Sequence, residues 1–429
     1  MESEGVRSSG EAGVPGGPIW LDFLLPTAYC LLPTAYCLLP TAYCLLRMDF
    51  SFFEREAEAF TAALNRERYL YRAGVKPALE LEPIYDRHPE LCSIDTYGWL
   101  HDQPLEAKPL RSLLDFVASN MIGQATWRLD EQLAEAEARA AVEWDGAALP
   151  FRAASLVLVN EPDAERRHAL EELVRAETGR LSRLRCDRYL AAVSIAGELG
   201  FADYGSMLHE LRGLEPAVLV TAARTILERT ADMYHQALSD QSIHHALDGE
   251  DLWSSDLEWV RRGTEYDGLF AAEYLLPALH GTVAWLGLRL EEQSNVRLDL
   301  ESRPLKSACP FCIPIAVPDE IVIVSTPRGG RLDFEGLLQQ LGRAESLATV
   351  DRTQPFSHRR LGDIAVREGY GLLLRGMASE PAWLGWRLEI DDPRDVIRLA
   401  AFERLYELRR VAGAVLCEQE LHAAAEPEA

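Results

Sequence analysis

The stretch that decides the fold of this chain is Leu337-Leu338-Gln339-Gln340-Leu341-Gly342-Arg343-Ala344. Its apolar residues recur at helical spacing and predict an amphipathic helix. Because residues four apart project from one face of a helix, the side chains of Gln339 and Arg343 are expected to lie side by side. An ordinary amphipathic helix is one interpretation, and the flanking sequence favours a second.

An apolar strand and a turn rich in proline and glycine precede this helix. The strand is predicted at Ile321, Val322, Ile323, Val324 and Ser325, a mostly β-branched run between Pro318 and Pro327. Downstream of the helix, Glu368 stands before Gly369 and Tyr370. Strand, turn, helix and glutamate therefore follow one another in this order.

This arrangement resembles the oligoendopeptidase and thimet-oligopeptidase family of zinc peptidases. In that family a strand and a similar turn lead into Leu-Phe-His-Glu-x-Gly-His-Ala, and a glutamate on a following helix is the third zinc ligand. Residues 337–344 match the apolar and glycine positions, and Glu368 matches the third ligand. The resemblance extends from about Met48 to the C-terminus, and it implies a mainly α, zincin-like helical peptidase fold with a small β-sheet.

The chain departs from the family at the three positions that carry the chemistry. In His-Glu-x-x-His two histidines share a zinc ion, and the glutamate takes a proton from the metal-bound water. Here Gln339 offers only a neutral amide oxygen, and Arg343 is a permanent cation without a lone pair. Gln340 has no basic site for the general-base role. We expect no cofactor and no intact catalytic residue here.

The resemblance predicts a substitute for the metal. A buried carboxylate at Glu368 would be costly without a partner, so we expect the Arg343 guanidinium to occupy the metal position and pair with it. The function implied is that of a catalytically inactive homologue of an oligopeptide-cleaving zinc metallopeptidase, either binding peptides or produced by a decaying gene. The alternative is an active zinc metallo-oligopeptidase with atypical ligands.

The predicted strand has its own functional interpretation. In the family an edge strand at this place holds the substrate by main-chain hydrogen bonds, which need no metal. Residues 321–325 are therefore the candidate peptide-binding strand. The alternative is that the strand only completes a small sheet.

The other candidate metal ligands are histidines and cysteines. His235, His244 and His245 flank the end of a long helix, but the adjacent pair would diverge by about 100° on a helix. We expect His280 to be a core or capping residue and His358 to lie on a solvated loop. Cys309 and Cys312 form a C-x-x-C pair without a second pair, and we interpret them as reduced thiols.

Composition restricts the partners. The chain has 429 residues, of which 48% are hydrophobic, and its formal charge is 43 − 68 = −25. Such a charge argues against nucleic acid or an anionic membrane surface as partner. We expect a cytoplasmic protein whose partner is a peptide or protein segment.

Residues 1–47 differ from the rest. The heptamer Leu-Pro-Thr-Ala-Tyr-Cys-Leu begins at Leu25 and recurs without change at Leu32 and Leu39. Because proline in every copy excludes a coiled coil, we interpret the segment as translated tandem-repeat DNA outside the fold, with Met48 as the true start. A membrane anchor and a secretory signal are the alternatives.

The remaining chain divides into two predicted lobes. Residues 48–215 are expected to form an N-terminal helical lobe, and residues 216–429 a catalytic-like lobe. One long helix is predicted at residues 396–422. The family continues into further helices that supply a histidine and a tyrosine to stabilise the oxyanion, so we expect truncation here, with apolar surface exposed.

Overall fold

Helices dominate the computed structural model, which describes residues 49–249 and 251–423; the repeat segment 1–47 lies outside them. The helices are α1 (Phe50–Arg72), α2 (Glu82–Arg87), α3 (Ile94–His101), α4 (Ala107–Arg139), α5 (Phe151–Leu158), α6 (Ala164–Glu198), α7 (Tyr204–Arg212), α8 (Pro216–Arg229), α9 (Ala231–His244), α10 (Ser254–Arg262), α11 (Ala272–Trp285), α12 (Arg331–Ala348), α13 (Phe356–Arg359), α14 (Ile364–Met377), α15 (Pro381–Leu388) and α16 (Arg394–Ala423). The strands are β1 (Ala141–Trp144), β2 (Ala147–Pro150), β3 (Val296–Asp299), β4 (Phe311–Ala316) and β5 (Glu320–Val324), and short 3-10 helices lie at Pro89–Cys92, Thr264–Leu269 and Leu290–Glu292. Residues 53–429 form one compact unit by their internal contacts, and the following paragraphs concern this unit.

The first half of this unit is helical, as predicted, apart from one hairpin that the sequence analysis missed. Strands β1 and β2 pair antiparallel with Trp144 opposite Ala147. The turn residues Asp145 and Gly146 both have positive φ, of 52° and 74°. Asp-Gly is the favoured sequence for such a two-residue turn, so the signal was present in the sequence.

The predicted lobe boundary near residue 215 falls at a turn between two helices. α7 ends at Arg212 and is capped by Gly213, whose φ of 64° is left-handed and suits glycine. α8 begins with Pro216, at a position where the missing N–H of proline costs no hydrogen bond. The division into two lobes stays a prediction.

The three-stranded sheet has the order β3-β5-β4, with β5 parallel to β3 and antiparallel to β4. Both faces of β5 are covered. Ile321 and Ile323 belong to a core with α12, whereas Val322 and Val324 belong to a core with Tyr69 of α1. Burial on both faces explains why this strand is a continuous apolar run rather than an alternating one.

The C-terminal helix was predicted well. It spans Arg394–Ala423 against the predicted 396–422, and it buries Leu399 and Phe402. None of the described helices combines the length and hydrophobicity needed to cross a bilayer. On α14, Ile364, Val366, Leu372 and Leu373 are each more than half exposed.

Candidate functional site at the crossing of α12 and α14

Two glycines bring α12 and α14 into backbone contact. A Cβ atom added to Gly342 would lie 2.2 Å from the carbonyl oxygen of Tyr370 and 2.9 Å from Cα of Gly371. A Cβ atom added to Gly371 would lie 3.1 Å from the carbonyl oxygen of Gln339 and 3.2 Å from Cγ of Arg343. Only glycine permits so close an approach, because any side chain would force the helices apart.

The crossing brings together the three positions that the sequence analysis compared with zinc ligands. Arg343 donates from Nε to Oε2 of Glu368 at 3.0 Å, and Nη2 donates to the same oxygen. Gln339 packs beside Arg343 against Gly371. The predicted pairing of Arg343 with Glu368 is confirmed.

The guanidinium is also held from its own helix. Nη1 of Arg343 donates to Oε1 of Gln340 at 2.9 Å, and Gln340 is only 4% exposed. The side chains of Arg343 and Glu368 remain 27% and 37% exposed. Because water reaches this ion pair, its contribution to stability is about 1 kcal/mol or less, smaller than the cost of a buried lone carboxylate.

These residues do not fit a zinc ion. One carboxylate, one neutral amide and a permanent cation replace the two imidazoles and one carboxylate that zinc would take. The Arg343 nitrogens are donors without lone pairs, and they already bind Glu368 and Gln340. No reaction step through a metal follows from this arrangement.

A buried charge network fixes the two helices behind the site. Arg331 of α12 donates to Glu335 and, at 2.6 Å, to Glu403 of α16. Arg375 of α14 donates to Glu335 at 3.1 Å and to Glu407 of α16 at 2.7 Å. Arg331 is fully buried, so these partners are required to compensate its charge. The network was not predicted, because Arg375 and the two glutamates of α16 are far from Arg331 in the sequence.

The proposed peptide-binding strand requires a correction. Residues Ile321, Val322, Ile323, Val324 and Ser325 were expected on an edge strand, but β5 lies between β3 and β4. Its backbone groups are occupied by both neighbours, so it cannot take up a further strand. All five residues are buried.

Among the described strands, β4 forms one edge of this sheet. The carbonyl oxygen of Pro314 accepts hydrogen bonds from Asn65 at 2.9 Å and Arg360 at 2.8 Å, so its backbone faces away from β5. Alternate residues of a strand face the same neighbour, so the backbone of Cys312 faces outward too. Burial raises the pKa of the Cys312 thiol to about 12, and the nearby charges of Arg367 and Arg343 offset this only in part.

The remaining cysteines and histidines fall in several environments. The cysteines among the described residues, including Cys309 and Cys312, form no disulfide. His280 is neither core nor cap, since it lies within α11 and contacts Glu291 from a half-exposed position. His358 is exposed, as predicted, but on the one-turn helix α13 rather than a loop.

Two groups of potential metal ligands were missed or rejected by the sequence analysis. His244, His245 and Glu265 have donor atoms within 4.8 Å of one another, and so do Glu56, His88 and Glu90. The expectation that His244 and His245 must diverge is wrong, because α9 ends between them.

Comparison with solved structures identifies the fold. The chain superposes on PZ peptidase A, solved with an inhibitor, with a TM-score of 0.51 and 14% identity, covering 86% of this chain and 64% of that protein. This chain has the fold of that peptidase. The predicted mainly helical peptidase fold with a small sheet is confirmed.

Two further structures are described as oligoendopeptidase F. One, from Bacillus anthracis str. Ames, has a TM-score of 0.49 and 12% identity over 89% of this chain and 69% of that one. The other has a TM-score of 0.46 and 14% identity over 86% of this chain and 61% of that one. No protein-family model and no curated protein matches the sequence. The chain thus spans less than two thirds of PZ peptidase A and of the second oligoendopeptidase F.

Proposed function

We propose that this protein is a catalytically inactive relative of oligopeptide-cleaving zinc peptidases. The observation that carries the proposal is the guanidinium of Arg343, bound to Glu368 and Gln340 at the crossing of α12 and α14. The guanidinium at this position repels a divalent metal ion. It also pairs with the Glu368 carboxylate, which would otherwise be available as a metal ligand.

Catalysis at this crossing would also lack a base. Gln340 stands where the family has its glutamate, and an amide does not accept a proton near neutral pH. Its oxygen is already the acceptor for Arg343, and the side chain is buried. Hydrolysis at this site would need both a metal and a base from elsewhere.

The role that remains open to this fold is binding of an extended peptide. We place the peptide on the outer edge of β4 at Cys312, because β4 pairs with another strand only on the side of β5. Main-chain hydrogen bonds would supply the affinity. Production of the chain by a decaying gene is the competing explanation, and it predicts no peptide binding.

The decisive experiment is cleavage of a quenched peptide library by the purified chain, with and without a chelator. We expect no chelator-sensitive cleavage. The readout is cleavage rather than metal content, because a metal bound elsewhere would not restore the missing base. Chelator-sensitive cleavage that Arg343→Ala leaves unchanged would overturn the proposal and support an active peptidase with atypical ligands.

Peptide binding is tested separately by hydrogen exchange with a peptide pool. A bound strand should protect the Cys312 amide on β4, whereas amides of β5 are protected with or without peptide. Protection confined to other parts of the chain would contradict the placement on β4. Absence of any binding would favour the decaying gene.

A further inference from the structure

A second group of metal-ligating side chains lies where α9 ends. His244 is the last residue of α9, His245 follows it, and Glu265 lies on the 3-10 helix Thr264–Leu269. One donor atom from each of the three residues lies within 4.8 Å of the other two. None of them belongs to the crossing of α12 and α14.

The end of the helix explains why two adjacent histidines converge. His245 has left the helical conformation, with φ −96° and ψ 7°, and Ala246 has a left-handed φ of 53°. The N–H of Leu247 bonds to the carbonyl of Ser242 at 2.8 Å, and that of Ala246 bonds to Ile243 at 3.3 Å. These two bonds form a Schellman motif, which turns the chain back on the helix. The two imidazole rings end 4.7 Å apart, nearly perpendicular.

His245 carries a nitrogen without a hydrogen-bond partner. Its side chain is only 9% exposed, and within residues 49–249 and 251–423 no group hydrogen-bonds to its Nε2 atom. The nearest carboxylate oxygen, Oε1 of Glu265, is 3.8 Å away. That distance is too long for a hydrogen bond. Burying an imidazole nitrogen without a hydrogen-bond partner costs free energy, so we expect another group to lie between Nε2 of His245 and Oε1 of Glu265.

The distance of 3.8 Å between Nε2 of His245 and Oε1 of Glu265 matches the separation of two ligand atoms bound to one metal ion. Bonds of about 2.1 Å from one zinc ion, at angles of roughly 110–130°, separate two donor atoms by about 3.4–3.8 Å. The ring of His245 is held from the side by Trp259, whose centroid is 5.0 Å away. The nearby cation Arg167 pairs with Asp256 at 2.6 Å. Because its positive charge is compensated in this way, Arg167 does not oppose the binding of a metal ion at His245.

The donor set selects the class of ion. Two imidazoles and one carboxylate suit a borderline divalent transition metal, whereas Ca²⁺ and Mg²⁺ prefer oxygen ligands alone. Burial lowers the pKa of His245, which keeps its lone pair available to a metal. His244 and Glu265 are exposed, so an ion can reach the site from solvent.

We propose that His244, His245 and Glu265 bind a zinc-class divalent ion through two imidazoles and one carboxylate. The ion fastens the end of α9 to the 3-10 helix between α10 and α11. This inference does not depend on the proposed loss of peptidase activity. The second group, Glu56, His88 and Glu90, carries no such inference, because Nδ1 of His88 already hydrogen-bonds to Glu56 at 3.0 Å.

The test is titration of the purified chain with Zn²⁺, and with Co²⁺ for its visible spectrum, in a Cys309→Ser/Cys312→Ser background. This background removes the C-x-x-C pair as a competing ligand set. We expect one ion per chain, without a thiolate charge-transfer band in the cobalt spectrum. His245→Gln and Glu265→Gln should each weaken binding by at least the roughly 10–100-fold that loss of an outer-shell partner costs.

Two controls make the outcome decisive. His235→Gln changes an exposed histidine on the same helix and should leave the affinity unchanged. Glu265 is 37% exposed, so Glu265→Gln should fold even if His245→Gln does not. Equal affinity in all variants, or no uptake in the Cys309→Ser/Cys312→Ser chain, would overturn the site.

Discussion

Substitution of Gly342 by alanine should destabilise the protein, because the new methyl group has no space. The added Cβ atom would lie 2.2 Å from the carbonyl oxygen of Tyr370 and 2.7 Å from its carbonyl carbon. Both are backbone atoms, so the clash is not relieved by a side-chain rotation, and α14 as a whole must move. Overpacking of this kind costs about 3 kcal/mol, and the better helix propensity of alanine offsets about 1 kcal/mol of it. We expect the free energy of unfolding to fall by about 2 kcal/mol.

The matched control is Gly369→Ala on α14. Apart from its chain neighbours and the backbone of its own helix, no atom lies within 4 Å of a Cβ added at Gly369, so only the helix propensity changes. This control should stabilise the protein by about 0.5–1 kcal/mol, which places the two variants about 3 kcal/mol apart. Urea denaturation followed by circular dichroism measures both. If Gly342→Ala were as stable as Gly369→Ala, the close crossing and the convergence of Arg343 with Glu368 would both be refuted.

Three further predictions concern the charges and histidines. In elemental analysis, the triple variant Gln339→His/Gln340→Glu/Arg343→His should contain one more zinc ion per chain than the parent protein. Adding Glu368→Gln to the triple variant should abolish this additional ion. If the triple variant contains no additional zinc, the resemblance of these positions to zinc ligands is contradicted. Arg331→Met should lower the free energy of unfolding by about 3 kcal/mol or more, since Glu335 and Glu403 would stay buried without this partner. The control Arg352→Met removes an exposed pair with Asp319 and should cost less than about 1 kcal/mol. Similar losses of stability in urea denaturation of the two variants would argue against the buried network. Burial lowers the pKa of His245 below 6.5; the charges of His244 and Arg167 act in the same direction and that of Glu265 opposes them. The stabilisation by neutral His245 is therefore present above pH 6.5 and is lost as the pH falls through the pKa of the folded state. In the metal-free protein, His245→Gln should make the free energy of unfolding depend less on pH below 6.5, and an unchanged pH dependence would refute the lowered pKa.

The sequence predicted those parts of the structure that depend on local patterns. The long C-terminal helix was placed within two residues at its start and one at its end, because its apolar spacing continues without a break. The apolar run at residues 321–325 was identified as a strand for the same reason. Its place in the sheet was predicted wrongly, since burial on both faces and hydrogen bonding on both edges depend on β3 and β4.

At the candidate sites, too, the sequence predicted some features, whereas others became visible only in the structure. Resemblance to a ligand pattern predicted that Arg343 would meet Glu368, and the structure forms that pair. The sequence analysis named His244 and His245 as candidate ligands but set them aside, and it did not indicate that Glu265 would join them. The formation of this group depends on a Schellman motif closed by Ala246, where glycine would have been the recognisable signal.

By itself, the sequence determined that helices form at residues 337–344 and 396–422, and which chemistry Gln339, Gln340 and Arg343 cannot perform, because helical spacing and the basicity of a side chain are local properties. Only the tertiary structure decided which strand edge is free, how closely α12 and α14 approach, and which histidine nitrogen is left without a partner. These properties depend on atoms that are distant in the sequence and meet only when the chain is packed.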